Sequence, residues 1–280
     1  MRKTSWHDLG PRLMSAVVLV AVAAAGIAAG GRIFAFLIIC AMAGMMLEAL
    51  DLAREDRYGP RGLLAVGWVV MGGVCATIGR LDVMVVLAST GWLFRSRAWA
   101  GVMAVILAGG CLIALRLGTI AGPWSVVFPV AVVVCSDSLA YVTGRLIGGA
   151  KLAPRISPGK TWSGSAGGLA GAVMAGLVVS ALAPSSHASV AATVVWSVVL
   201  GIAGQAGDLA ESAVKRACGV KDSGTLLPGH GGLLDRFDAL MAAAPLAWVL
   251  ALISGPEVPF WTVTWSDLLR GLRIFVGMPG

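Results

Sequence analysis

Long apolar runs separated by short polar breaks dominate the chain. Nine of them stand out, at about 13–31, 33–50, 62–79, 81–95, 98–117, 123–146, 163–183, 188–210 and 238–254. All but the fourth have the length of about 17–25 residues that a helix needs to cross a bilayer. In hydrocarbon the backbone finds partners only within a helix or a closed barrel, so these runs predict helices. The fourth is short and starts at Asp82, which makes it the weakest span. The first, alanine-rich and preceded by Arg2, Lys3 and Arg12, also has the pattern of a signal peptide. Its removal would leave the rest of the topology unchanged. The expected fold is all-α: a polytopic integral membrane protein with about nine transmembrane helices.

Composition agrees. Hydrophobic residues make up 58% of the chain and charged residues 12%, with a mean hydropathy of +0.88. A soluble domain carries about 25% charged residues. The shortage excludes a soluble enzyme, a disordered tail and a basic nucleic-acid binder. The net charge of +7 comes from 21 Lys+Arg against 14 Asp+Glu. With a cytoplasmic N-terminus and nine helices, sixteen of the 21 cations fall inside: Arg2, Lys3, Arg12, Arg54, Arg57, Arg61, Arg95, Arg97, Arg145, Lys151, Arg155, Lys160, Lys215, Arg216, Lys221 and Arg236. Only Arg32, Arg80, Arg116, Arg270 and Arg273 fall outside. The basic excess is therefore mainly an orientation signal. The five cysteines form no C-x-x-C and four lie in apolar runs, as small buried hydrophobes do.

Three regions follow: N-terminal helices over 1–122, a catalytic transmembrane region over 123–254 with cytoplasmic loops 147–162 and 211–237, and an interfacial tail over 255–280. The tail carries Trp261, Trp265 and an amphipathic piece, Asp267–Val276, which suits anchoring at the membrane surface. Gly164 with Gly168, and Gly167 with Gly171, give two small-x-x-x-small spacings in the seventh helix. They suit close packing, either within the chain or in a homodimer.

Acids at membrane depth are costly and point to function unless they only lock helices together. The candidates are Glu48, Asp137, Asp208 and Glu211, with Asp235 and Asp238 leading into the ninth run. If the eighth helix continues past 210, Asp208, Glu211, Ser212 and Lys215 share one face, with Arg216 beside Ser212. A single surface ion-pair ladder would give the same spacing. The PGHGG string at Pro228–Gly232 is either a simple turn or a loop whose amides wrap a phosphate oxygen. Asp235 and Asp238, one helical turn apart, suit a shared divalent cation, with Arg236 pointing elsewhere. Between Ser136 and Gly164, Asp137 sits among valines and is followed by Arg145, Lys151, Arg155 and Lys160. Those cations suit anionic headgroups or a polyphosphate, beyond simple positive-inside loading.

The string SAVKR-x4-KD-x-G-x3-PGHGGLLDRFD, Ser212–Asp238, resembles the signature of the phosphatidate cytidylyltransferase (CDP-diacylglycerol synthase) family. KLAPRISPGKTW at Lys151–Trp162 and DSLAY at Asp137–Tyr141 resemble that family's other marked stretches. Glu48 stands where the family often has a glutamate, and Ser163 departs from a common glutamate after K-T-W. The resemblance implies transfer of a cytidylyl group from CTP to phosphatidic acid, yielding CDP-diacylglycerol and pyrophosphate at the cytoplasmic face of the inner membrane. It implies Asp208, Lys215, Arg216, Asp235 and Asp238 as catalytic residues. Asp137, Asp208, Asp235 and Asp238 would hold Mg²⁺, with room for a second metal ion. Lys151, Lys160, Ser212, Lys221, Asp222, Gly229, His230, Gly231, Gly232 and Arg236 would bind substrate, with Arg155 assisting. A secondary transporter is the competing class, but its acids and broken helices fall in paired halves, and no repeat is visible here. The motifs do not separate acyl from ether lipid tails.

Overall fold

The computed structural model describes residues 9–94, 98–184, 189–224, 226 and 231–275. Eleven helices and one hairpin occur among them: α1 (Leu9–Ala29), α2 (Gly31–Leu52), α3 (Pro60–Thr77), α4 (Leu81–Ser89), α5 (Trp99–Leu117), α6 (Pro123–Leu146), β1 (Lys151–Ala153), β2 (Ser157–Thr161), α7 (Trp162–Leu182), α8 (Val190–Ala217), α9 (Leu234–Phe237), α10 (Leu240–Ser254) and α11 (Trp265–Phe275). Short 3₁₀ turns follow α4 and precede α11. The protein is an all-α polytopic membrane protein. Six of the described helices, α2, α3, α5, α6, α7 and α8, are long and apolar enough to cross a bilayer. Shorter apolar helices cover Val20–Ala29, Leu81–Leu93 and Leu240–Ser254. Proline opens α3 and α6, where its fixed φ suits a first helical turn and its missing N–H is not needed.

The compact units do not follow chain order. One comprises Met1–Ile113 with Val214–Phe237, the other Ala114–Ala213 with Asp238–Gly280. In the first, Met42, Met45 and Met46 of α2 are fully buried, together with Val102, Val105 and Ile106 of α5. Glycines let the helices close on these side chains: a Cβ on Gly72 would fall 2.9 Å from Ile106, and one on Gly73 2.7 Å from Ile39.

In the second unit α6 and α7 lie backbone against backbone. A Cβ on Gly164 would meet the Ala140 carbonyl oxygen at 2.8 Å, one on Gly168 the Ser136 oxygen at 2.9 Å, and one on Gly171 the Cys135 oxygen at 2.6 Å. The glycine spacings of the seventh helix therefore serve this internal seam. Gly171→Val is expected to lower the melting temperature, at a cost of about 1–3 kcal/mol, because the new side chain overlaps backbone that cannot rotate away. Gly67→Ala in α3, where a Cβ meets nothing within 4 Å, should be neutral or slightly stabilising. Thermal unfolding of the two detergent-purified variants tests the contrast.

Trp261 departs from the interfacial role expected of the tail. It is fully buried, stacked on Phe128 at 4.9 Å and edge-on to Phe260 at 5.2 Å. Trp196 Nε1 also donates to the Val263 carbonyl at 2.8 Å, tying the chain after the 3₁₀ turn to α8. An aromatic cluster of this kind buries more apolar surface than the headgroup region offers. Trp265, on α11, is 65% exposed.

Candidate active site

The stretch 147–162, expected as a loop, contains an antiparallel hairpin with Lys151 opposite Thr161 and Ala153 opposite Ser157. Both strands are edges, which is why Pro158 is tolerated in β2. The hairpin runs straight into α7. Thr161 Oγ1 caps that helix by accepting the Gly164 amide at 3.0 Å. Ser163 donates to the Gly148 carbonyl at 2.5 Å, so the residue that departs from the family pattern ties the turn after α6 to the start of α7.

Lys160, on β2, reaches Asp208 on α8, with Nζ 2.5 Å from Oδ2. Ser212 Oγ donates to the other Asp208 oxygen at 3.3 Å, one turn further along α8. The eighth helix does continue to Ala217, so the face predicted from residue spacing exists. Asp137 on α6 lies within electrostatic reach of both Asp208 and Lys160. Asp238, between α9 and α10 and outside the apolar helices, feels Asp208, Glu211 and Asp137. The second unit thus gathers four carboxylates, Asp137, Asp208, Glu211 and Asp238, with Lys160 paired to Asp208.

Burial, reinforced by the charge on Asp208, pushes the Asp238 carboxyl up to about 7. The Ala239 amide, donating to Oδ1 at 2.7 Å, opposes this, while Glu211 and Asp137 add to the rise. Between the unfolded value of 3.8 and about 7 the folded chain binds a proton that the unfolded chain does not. Stability without divalent metal should therefore fall as pH rises from about 4 to about 7 and level off above. Melting curves in EDTA across that range test this. Asp238→Asn should flatten the slope; an unchanged slope in the variant would contradict the assignment.

Three helices are held in place beside this cluster by Gln205. Its Nε2 donates to the Ser165 carbonyl at 3.1 Å and to Ser136 Oγ at 3.4 Å, while Ser165 Oγ donates to Gln205 Oε1 at 2.5 Å. Ser136 precedes Asp137, and Gln205 lies one turn before Asp208, so α6, α7 and α8 are cross-linked next to these two acids. Sequence reading missed Gln205, although an amide inside a long apolar run is itself a signal.

The first unit holds the rest of the motif. Lys215 Nζ lies 2.7 Å from Asp235 Oδ1, with the side chains only 11% and 9% exposed. The Ser223 amide donates to both Asp235 oxygens, at 3.2 and 3.1 Å, and the Gly232 amide to Oδ2 at 2.9 Å. Burial alone would raise the Asp235 carboxyl; the Lys215 and amide bonds outweigh it and hold the group below its ordinary value. Gly231 takes φ +82, the left-handed conformation that glycine adopts freely. Glu48, buried on α2, accepts the amides of Leu233 and Leu234.

Other predicted residues lie at the surface. Lys151, Lys221, Asp222 and Arg236 are exposed, as is Arg216, which donates to the Val220 carbonyl at 2.8 Å. Arg155 is exposed at the hairpin turn. Gly229 and His230 lie outside the described residues. Among the described residues no three carboxylates, histidines or cysteines already enclose a metal-sized space. Carboxylate oxygens are nevertheless the donors a hard divalent cation takes, and Mg²⁺ keeps several waters beside one or two protein ligands and the substrate phosphates. A carboxylate cluster completed by substrate fits such an ion.

The second unit carries the carboxylates and Lys160, and the first carries the glycine-rich basic motif of Val214–Phe237. The chain belongs to the cytidylyltransferase family, whose model matches residues 11–254. It is 38% identical over 269 residues to the phosphatidate cytidylyltransferase of Brucella suis biovar 1 (strain 1330), covering 90% of this chain and 97% of that protein. The phosphatidate cytidylyltransferase of Staphylococcus epidermidis (strain ATCC 12228 / FDA PCI 1200) is 43% identical over 127 residues, 45% of this chain and 48% of its own length. An uncharacterized protein, YnbB, of Escherichia coli (strain K12) is 38% identical over 151 residues, 53% of this chain and 50% of its own.

Proposed function

We propose that this protein transfers the cytidylyl group of CTP to phosphatidic acid, forming CDP-diacylglycerol and pyrophosphate at the cytoplasmic face of the cell inner membrane. The observation that carries this reading is the Asp208 cluster: Asp137, Asp208, Glu211, Asp238 and Lys160 in a helical membrane protein, all within residues 11–254 that match the cytidylyltransferase family. A phosphate oxygen of the lipid attacks the α-phosphorus of CTP, and the bond from that phosphorus to the bridging oxygen of the β-phosphate breaks. The phosphate monoester is already ionised, so the chain has no proton to remove. Its tasks are to bring two anions together and to stabilise charge on the departing pyrophosphate.

Asp137, Asp208 and Asp238 would hold Mg²⁺, with a second ion accommodated by the same acids and the substrate. Bound there, the ion supplies charge neutralisation for the triphosphate. Asp235, the fourth acid predicted from the motif, has its oxygens occupied by Lys215 and two amides, so we give it the task of holding Lys215. Lys215, Arg216, Lys221 and Arg236 neutralise phosphates, and Asp222 and the Gly229–Gly232 segment with His230 shape the phosphate loop. Lys160 starts on Asp208 and moves to a phosphate when substrate arrives, with Ser212 completing the polar face of α8. Lys151 and Arg155, exposed on the hairpin, draw in the lipid headgroup. The positive-inside distribution supports the cytoplasmic placement, where CTP is present.

Pyrophosphate release tests the reading. The purified protein should release pyrophosphate only when CTP and phosphatidic acid are both present, and not with diacylglycerol, which lacks the attacking phosphate. Release independent of the lipid, or uptake of a solute into proteoliposomes without any release, would reject it.

A further inference from the structure

Glu48 is 2% exposed, within α2. Its Oε1 accepts the amide of Leu233 at 3.0 Å and its Oε2 that of Leu234 at 2.8 Å. The preceding amide, of Gly232, goes instead to Asp235 Oδ2 at 2.9 Å. Three successive N–H groups at the entry to α9 are therefore divided between two carboxylates, one of them 185 residues away in sequence.

The approach is close on both sides of the loop. A Cβ on Gly224 would fall 2.5 Å from Glu48 Oε1, and one on Gly232 2.7 Å from Oε2. Ser223, next to Gly224, donates its amide to Asp235. The two ends of the segment that holds Asp235 thus converge on the Glu48 carboxylate. Burying a charge is costly unless it is hydrogen-bonded. A helix lock alone could use a neutral amide side chain. Both Glu48 oxygens face donors, and only a carboxylate offers two acceptors there.

We propose that Glu48 is a positioning residue for nucleotidyl transfer: it fixes the backbone on both sides of the glycine loop so that Asp235 keeps the Lys215 ammonium where it meets phosphate. The role of Lys215 rests on the cytidylyltransferase reading; the way Glu48 holds the loop does not. Glu48→Gln places an NH₂ against a backbone N–H, whereas Glu48→Asp keeps two acceptors on a shorter stem.

The test uses full-length protein in detergent, with kinetics and amide hydrogen exchange measured on the same preparations. In Glu48→Gln, kcat per folded molecule should fall about 10–100-fold, the scale of a misplaced catalytic group, while the KM for phosphatidic acid changes less than about twofold. The Leu233 and Leu234 amides should exchange faster with protection in α6 and α7 unchanged, and Glu48→Asp should recover part of the turnover. Unchanged kcat in Glu48→Gln would overturn the proposal. So would a loss of protection spread evenly over the helices with kcat per folded molecule unaltered, which marks a purely structural residue. If the unmodified protein made no cytidylyl lipid, the functional reading would fail, and unchanged exchange at Leu233 and Leu234 would separately refute the loop-holding role.

Discussion

Asp208→Asn is expected to lower turnover of CTP and phosphatidic acid by about 10³-fold, with the protein still folded and inserted. Asparagine keeps the shape but removes the charge that both Lys160 and the expected divalent ion need. Folding survives because the Asp208 and Lys160 side chains keep 24% and 26% exposure, so the abandoned ammonium still reaches water. Ser212, at 3.3 Å, can hydrogen-bond to an amide oxygen as well as to a carboxylate. Steady-state kinetics beside a melting curve checks both halves. A variant that turns over within tenfold of the unmodified protein would remove Asp208 from the centre of the site.

Asp235→Asn should lose both activity and stability. Here the partners are far less hydrated, at 9% and 11% exposure, and removing one member of a buried pair costs about 3–5 kcal/mol. An asparagine also turns NH₂ hydrogens toward either the ammonium or the two amides that now donate to Asp235. Adding Lys215→Met to Asp235→Asn should restore part of the stability, since no charge is then stranded, without restoring transfer. Chemical denaturation of the single and double variants gives the coupling. Additive stability losses would mean that the pair is not a unit.

The contrast between these two pairs was not legible in the sequence. Asp208 and Lys215 sit seven residues apart in one motif and look equivalent there, yet each pairs with a different, distant partner. Hydropathy did show the long helices, because lipid forces every spanning segment into the same pattern. Residue spacing placed Asp208, Ser212 and Lys215 on a continuing α8 for the same reason: an apolar helix with charges on its last turns has one way to present them. The hairpin at Lys151–Thr161 escaped because a short polar segment with two prolines carries no clean alternation. Lys160 reaches Asp208 only through that hairpin. Trp261 was misplaced because an indole near a chain end reads the same whether it meets lipid headgroups or Phe128. Glu48 was visible as a buried acid, but its partners are backbone amides, which no side-chain pattern records.

Purified protein in vesicles containing phosphatidic acid is given CTP labelled in its α-phosphate, with Mg²⁺ or with EDTA, and the lipid is extracted. Label is expected in CDP-diacylglycerol with Mg²⁺ and none with EDTA or with Asp208→Asn. Lipid that remains unlabelled in the presence of Mg²⁺, or labelling that Asp208→Asn leaves intact, would contradict the proposed function.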